Sequence, residues 1–347
     1  ALQWDQMQHR ELPNGWDRDI PEFEADHEGV ATRAASGKVL NAVAKNVPWL
    51  VGGSADLAPS TKTRLTFEDA GDVNRGEFAG RNLHFGVREH AMGAILNGLS
   101  QAKIRPFGST FLIFSDYLKP SLRLSALMEL PAIYVFTHDS IGVGEDGPTH
   151  QPVEQLASLR AVPHLVTLRP CDANETAAAW RVVMGFKHRP AALVLSRQNL
   201  PVLDRSALAS ASELERGAYV LSDAPGGDPE AILIASGSEV ALALQAQEQL
   251  DAEGIPTRVV SFPSWQLFED QPASYRERVL PPSVTLRVAI EQGSTLGWDR
   301  YVGPGGCCIG METFGASAPL KELQHKFGFQ AERVVEAVQS LRSRGEG

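Results

Sequence analysis

Between Thr32 and about Asn199, short apolar runs alternate with segments whose apolar residues recur every three or four positions. The runs at 49–51, 82–85, 105–108, 132–136, 165–168 and 191–195 predict strands. The periodic segments 32–45, 88–102, 112–129, 153–161 and 174–187 predict helices. Strands that are apolar throughout, rather than at every second position, are covered on both faces. Such runs, separated by helices, predict a parallel sheet between two helical layers. A second set follows, with strands at 231–235, 258–262, 285–290 and 307–311 and helices at 240–253, 319–327 and 332–341. The expected fold class is therefore α/β, with two domains, each a mainly parallel sheet flanked by helices.

Two stretches lack any period. Residues 1–26 are polar and broken by Pro13-Asn14-Gly15 and Pro21, and 201–216 carry no clear repeat; both are expected to be linkers. The domains are then expected at 27–200 and 217–347. Ala1–Gln8 has the pattern of a helix tail with no cap before it, as if the native chain began earlier or had lost an initiator Met before Ala1.

Bulk composition narrows the function classes. A chain of 347 residues exceeds what one core usually serves, and 43% apolar with 21% charged residues is ordinary for a soluble globular protein. No apolar run is long enough for a bilayer, and the first ten residues lack the pattern of a secretory leader. The net charge of −10 disfavours nucleic acid and anionic membranes as partners. An anionic substrate would need a local cluster of Arg and His. Cys171, Cys307 and Cys308 have no CxxC spacing and are expected to be buried and reduced, as in a cytoplasmic protein.

The chemistry-bearing residues are concentrated in a few segments. Residues 138–150 read His-Asp-Ser-Ile-Gly-Val-Gly-Glu-Asp-Gly-Pro-Thr-His, a polar loop leaving a buried strand. Open α/β sheets place ligands at such strand ends, so His138, Asp146 and His150 could converge on a polar substrate; a solvated connection is the alternative. Glu89 stands in Gly86-Val87-Arg88-Glu89-His90, where a strand end enters a helix. It could complement the helix dipole or face a cleft as an acid or base. Phe111, Phe114 and Tyr117, at i, i+3 and i+6, share one helical face, either as core or as a stacking pocket for a flat ring. Arg33 opens the first helix and Arg197 follows the strand at 191–195. With His138, His150 and Ser60 they could clamp a phosphate, or each could be an ordinary surface arginine. Ser236-Gly237-Ser238 could hold a phosphate at a helix N-terminus, though Ser238 is also a good N-cap.

Taken in order, these segments resemble the transketolase family. The resemblance rests on Gly52-Gly53-Ser54-Ala55-Asp56-Leu57, Gly86 to His90, Ser109 to Tyr117, His138 to Gln151, Arg169-Pro170-Cys171-Asp172 and Leu195 to Asn199, and it runs from about residue 12 to 345. It implies the last two of the family's three domains: a pyrimidine-binding domain at 27–200 and a C-terminal domain at 217–347. The cofactor implied is thiamine diphosphate. Its Mg²⁺ or Ca²⁺ would be held by the family's first domain, and no GDG-type metal segment stands in this sequence. By resemblance, Glu89 would be the proton donor to N1′ of the cofactor ring, Phe114 would stack on that ring, and Phe111 and Tyr117 would line its pocket. Arg33, Ser60, His138 and Arg197 would hold a sugar phosphate. Asp146 would take the hydroxyl next to the aldehyde, and His150 the reacting end of the sugar.

The implied activity is transfer of a two-carbon ketol unit between ketose and aldose phosphates in the pentose phosphate pathway, by a cytoplasmic homodimer. The C-terminal domain would contribute to dimerisation without a direct catalytic role, and these residues alone would be inactive. The same two-domain layout also fits a beta-type subunit of a 2-oxo acid dehydrogenase, or a non-catalytic dimerising remnant.

Overall fold

A computed structural model describes residues 2–345. Ala1, at the head of the expected helix, and Glu346 and Gly347, at the end of the expected second domain, lie outside them. The strands are β1 (Asp26–Ala31), β2 (Leu50–Ser54), β3 (Asn82–His84), β4 (Arg105–Phe111), β5 (Ile133–Thr137), β6 (Val166–Leu168), β7 (Ala191–Leu195) and β8 (Asn199–Val202), then β9 (Tyr219–Ser222), β10 (Ala231–Ala235), β11 (Thr257–Ser261), β12 (Leu286–Ser294) and β13 (Cys307–Met311).

There are two domains, each built on its own sheet. The first sheet is parallel, in the order β3-β2-β4-β5-β7-β6. Its central strands β4, β5 and β7 are buried at every residue, as continuous apolar runs require. The second sheet runs β13-β12-β10-β11-β9, parallel except for β9, which pairs antiparallel with β11. Both sheets are flanked by helices, the longest being Thr32–Asn46, Glu89–Gln101, Ser115–Leu127 and Ala173–Gly185 in the first domain and Glu239–Ala252 and Ala331–Gly345 in the second. One apolar cluster runs through both domains, from Leu168 and Trp180 to Leu233 and Val240. The helix Leu2–Gln8 is present where the head of the chain has a helical pattern.

Three local departures from the expected elements have physical causes. β1 and β8, inside or bordering the presumed linkers, pair with each other antiparallel, Ala31 opposite Asn199. β1 is Asp-His-Glu-Gly-Val-Ala and mostly exposed, so it carries no apolar alternation to announce it. The segment 112–129 is not one helix: a 3₁₀ turn at Leu112–Phe114 precedes the α-helix Ser115–Leu127. Ser238 occupies the N-cap position but caps nothing; its hydroxyl donates to Glu239 Oε1, and the Arg169 guanidinium fills the turn.

Of the three cysteines, Cys171 is buried as expected, whereas Cys307 and Cys308 are half-buried because β13 is an edge strand with one neighbour; all three are free thiols. No helix among the described residues is long and apolar enough to cross a membrane.

Candidate active site

The carboxyl ends of the parallel strands β2, β3, β4, β5 and β7 point to one rim, and the segments that follow them carry the candidate residues except Arg33, which follows β1. The strand order reverses around β2 and β4, which leaves a crevice at that rim for a ligand.

Glu89 is the first residue of the helix Glu89–Gln101 and is 7% exposed. Its carboxylate does not cap its own helix. Oε1 accepts a hydrogen bond from Thr110 Oγ1 at 3.1 Å, a fully buried hydroxyl on β4. The second oxygen has no donor among the described residues. Holding a carboxylate near the positive helix end while leaving one oxygen unpaired suits it to meet a ligand proton.

The aromatic residues begin one position after Thr110, at the end of β4. β4 ends at Phe111, and the 3₁₀ turn Leu112–Phe114 folds the chain back at once. Phe111 and Phe114 stack, with ring centroids 5.8 Å apart and planes inclined by 12°. Tyr117 continues the row at 6.1 Å from Phe114, its ring two-thirds exposed. His138, immediately after β5, stacks on Phe111 at 3.7 Å. His150 stands edge-on to both phenylalanines, at 6.5 and 5.8 Å. The two histidines thus both lie against Phe111 despite the loop between them.

A positive rim closes around His138. The backbone N–H of Thr32 donates to Ser196 Oγ at 3.0 Å, and that of Ser196 donates to Thr32 Oγ1 at 2.7 Å. This reciprocal pair ties the start of the helix Thr32–Asn46 to the end of β7 and brings Arg33 beside Arg197. Burial, and then the charge of Arg197, hold the Arg33 guanidinium below its ordinary value. Arg33 Nη1 donates to the Ser60 carbonyl at 2.7 Å, which draws the short helix Ala58–Thr61 into the rim. His138 is 4% exposed and sits at φ 60°, a left-handed conformation uncommon for a side-chain-bearing residue. Burial first, then Arg33, Arg197 and His150, push its imidazole down to about 3, so it is neutral at neutral pH. Its Nδ1 is 2.8 Å from the Thr137 hydroxyl.

Asp146 is the one candidate that the structure does not bring into contact with the others. It is exposed at the end of the 3₁₀ segment Ile141–Asp146, and its side chain has no hydrogen bond or ion pair among the described residues.

Other polar groups at the rim had no assigned role in the sequence reading. Thr110, Thr137, Thr32 and Ser196 orient the candidates, and Asp139 accepts from Arg169 Nε at 2.9 Å. The only local signal for them is adjacency to a candidate.

A cleft of about 390 Å³ opens beside β2 and β3, lined by Gly53, Ser54, Asp56, Asn82, His84 and Gly86. A larger cavity of about 650 Å³, beside Glu22, Asn174, Arg181 and Arg205, shares no residue with the rim.

A buried carboxylate with a free oxygen, next to stacked phenyl rings, fits a flat ring carrying a protonated nitrogen. Two arginines with a neutral histidine fit a phosphate. No group of three or more His, Cys, Asp or Glu among the described residues is placed to hold a metal ion.

Residues 28–202 match the family described as transketolase, pyrimidine binding domain, and residues 217–330 match the transketolase-like TK C-terminal domain. The transketolase of Geobacillus stearothermophilus is 54% identical over 331 residues, which are 95% of this chain and 49% of that protein. A Pichia stipitis transketolase crystallised with xylulose 5-phosphate superposes with a TM-score of 0.92 at 39% identity, over 99% of this chain and 51% of that one. A structure described as a split gene transketolase, inactive beta4 tetramer, superposes with a TM-score of 0.71 at 27% identity, over 90% of this chain and 98% of that one. The chain spans about half the length of the curated relatives it matches.

Proposed function

The chain belongs to the transketolase family, and from that premise we propose that it forms the cofactor-ring and substrate half of an enzyme that transfers a two-carbon ketol unit from a ketose phosphate to an aldose phosphate. One observation carries the substrate class: Arg33, Arg197 and a neutral His138 meet on a single rim above stacked phenylalanines. A 2-oxo acid has no phosphate to occupy such a clamp.

Each residue then has a task. Glu89, oriented by Thr110, holds a proton at N1′ of the aminopyrimidine. Phe114 stacks on that ring, and Phe111 and Tyr117 line its pocket. Thiamine diphosphate, when bound, supplies a nucleophilic carbon that accepts the ketol unit and hands it on. Arg33, Arg197, Ser60 and His138 hold the sugar phosphate, and His150 contacts the reacting end of the sugar. Asp146 accepts a hydrogen bond from the hydroxyl beside the aldehyde and so selects its configuration. The ligands of the diphosphate and its Mg²⁺ or Ca²⁺ belong to the family's first domain.

The proposed domain boundaries are 27–200 and 217–347, joined by 201–216. A homodimer is supported by an apolar surface on the helices Glu89–Gln101 and Ser115–Leu127, where Ile95, Leu124, Leu127 and Met128 are exposed. A cytoplasmic setting accords with three unpaired thiols.

The test is Arg197→Ala in the enzyme assembled with the family's diphosphate-binding half. Losing a charged hydrogen-bonding group should raise KM for xylulose 5-phosphate by about tenfold or more, with little change for an unphosphorylated ketose. Equal effects on both would refute the clamp. Turnover of pyruvate with an electron acceptor, and none of xylulose 5-phosphate with ribose 5-phosphate, would replace this function by that of a 2-oxo acid dehydrogenase.

A further inference from the structure

The loop carrying His138, Asp146 and His150 is made by the first domain but fastened by the second. Upstream, Arg169 Nε donates to Asp139 while Nη1 of the same guanidinium donates to the Ser236 carbonyl at 2.8 Å and pairs with Glu239. Downstream, the backbone N–H of Ser294 donates to the Val153 carbonyl at 2.8 Å. In the middle, the buried Gln151 amide donates to the Gly144 carbonyl at 2.7 Å and to the Ala316 carbonyl at 2.9 Å, bridging the loop to the second domain. The Ser317 hydroxyl donates to the Glu145 carbonyl. The second-domain chain approaches so closely that a β-carbon at Gly315 would lie 1.7 Å from Gln151 Oε1.

Asp146 has no side-chain partner of its own, so its position follows from the backbone of the turn. The two carbonyls just before it, Gly144 and Glu145, are the ones held by Gln151 and Ser317. We propose that Gln151 and Ser317 are positioning residues through which the second domain sets how strictly the site reads the hydroxyl beside the aldehyde, an inference that rests on the role given to Asp146 above. The C-terminal domain then acts on acceptor choice without touching substrate. Releasing the turn widens the range of Asp146 positions and weakens the preferred configuration more than the other.

The experiment compares kcat/KM for D- and L-glyceraldehyde as ketol acceptors in the assembled enzyme, for wild type, Ser317→Ala, Ser317→Thr, Gln151→Ala and Asp146→Ala. Each Ala variant at 151 or 317 removes one or two neutral hydrogen bonds, so the D/L ratio is expected to fall by about threefold or more. Ser317→Thr, which keeps the hydroxyl, is expected to restore it. Exchange of the cofactor C2 proton should stay at the wild-type rate, because Glu89 and its pocket are untouched. Ser317 is exposed, and losing its hydroxyl leaves the core intact, so this variant keeps the test valid if Gln151→Ala fails to fold. An equal loss on both aldehydes, or an unchanged ratio in Ser317→Ala while Asp146→Ala abolishes it, overturns the positioning role alone. An unchanged ratio in Asp146→Ala overturns the Asp146 reading and this inference with it. Absence of ketol transfer by the wild-type enzyme overturns the proposed function itself.

Discussion

His138 concentrates the electrostatics of the rim in one side chain. Its folded value of about 3 lies below the roughly 6.5 of an unfolded chain. Between those values the unfolded chain binds a proton that the folded one refuses, so this contribution to stability is complete above pH 6.5 and is lost as pH falls towards 3. His138→Gln, which has no proton to gain, is expected to lose less stability than wild type between pH 7 and 4. Urea melts at the two pH values check this, and equal losses in both proteins would remove His138 as a cause. The candidates themselves stood out in the sequence because charged and aromatic residues cluster beside apolar runs. Their partners did not. Thr110 meets Glu89 across 21 residues, and Arg169 meets Glu239 across 70, separations that leave no local pattern. Glu89 stands in the first turn of its helix, as a dipole-complementing carboxylate would, and it also accepts a hydrogen bond from Thr110 on β4.

Among the elements, β2 shows how tightly the rim is assembled. It lies between β3 and β4, and a β-carbon at Gly53 would stand 1.8 Å from the Leu83 carbonyl oxygen on β3. Gly53→Ala must push β3 away and is expected to cost about 3 kcal/mol, the upper range for overpacking. A thermal melt reads this directly, and an unchanged Tm would contradict the close approach. The central strands and long helices were legible from hydrophobic period. β1, β8 and the short 3₁₀ turn were not: their residues are few and their pairing is long-range. That turn matters, because it links Phe111, at the end of β4, to Phe114, at the head of the following helix, and the two rings stack across it.

Across the whole molecule, the two domains meet on buried charge. Arg160 pairs with Glu291, and Arg169 with Asp139 and Glu239, all nearly or fully inaccessible to water. Removing one member of such a group strands the others, so the domains are bound to act as a unit. The 347-residue polypeptide alone is expected to fold and yet to show no measurable ketol transfer: under the proposed function its rim supplies the ring pocket and the phosphate clamp, and no three or more metal-ligating side chains are grouped among the described residues. Steady-state assay of purified, folded material with xylulose 5-phosphate and ribose 5-phosphate checks it, and robust turnover would refute it.

The α/β class, the two sheets, the family and the ten residues offered for the site are all legible in the amino-acid sequence. Each of these depends on hydrophobic period or on short motifs, which are local properties of the chain. Folding is what puts His138 and His150 both against Phe111, sets Arg33 beside Arg197, buries His138 so that its imidazole stays neutral, and lets the second domain hold the loop between the histidines. Those contacts join residues far apart in sequence, and the energies that matter there, desolvation and charge proximity, exist only once the chain has folded.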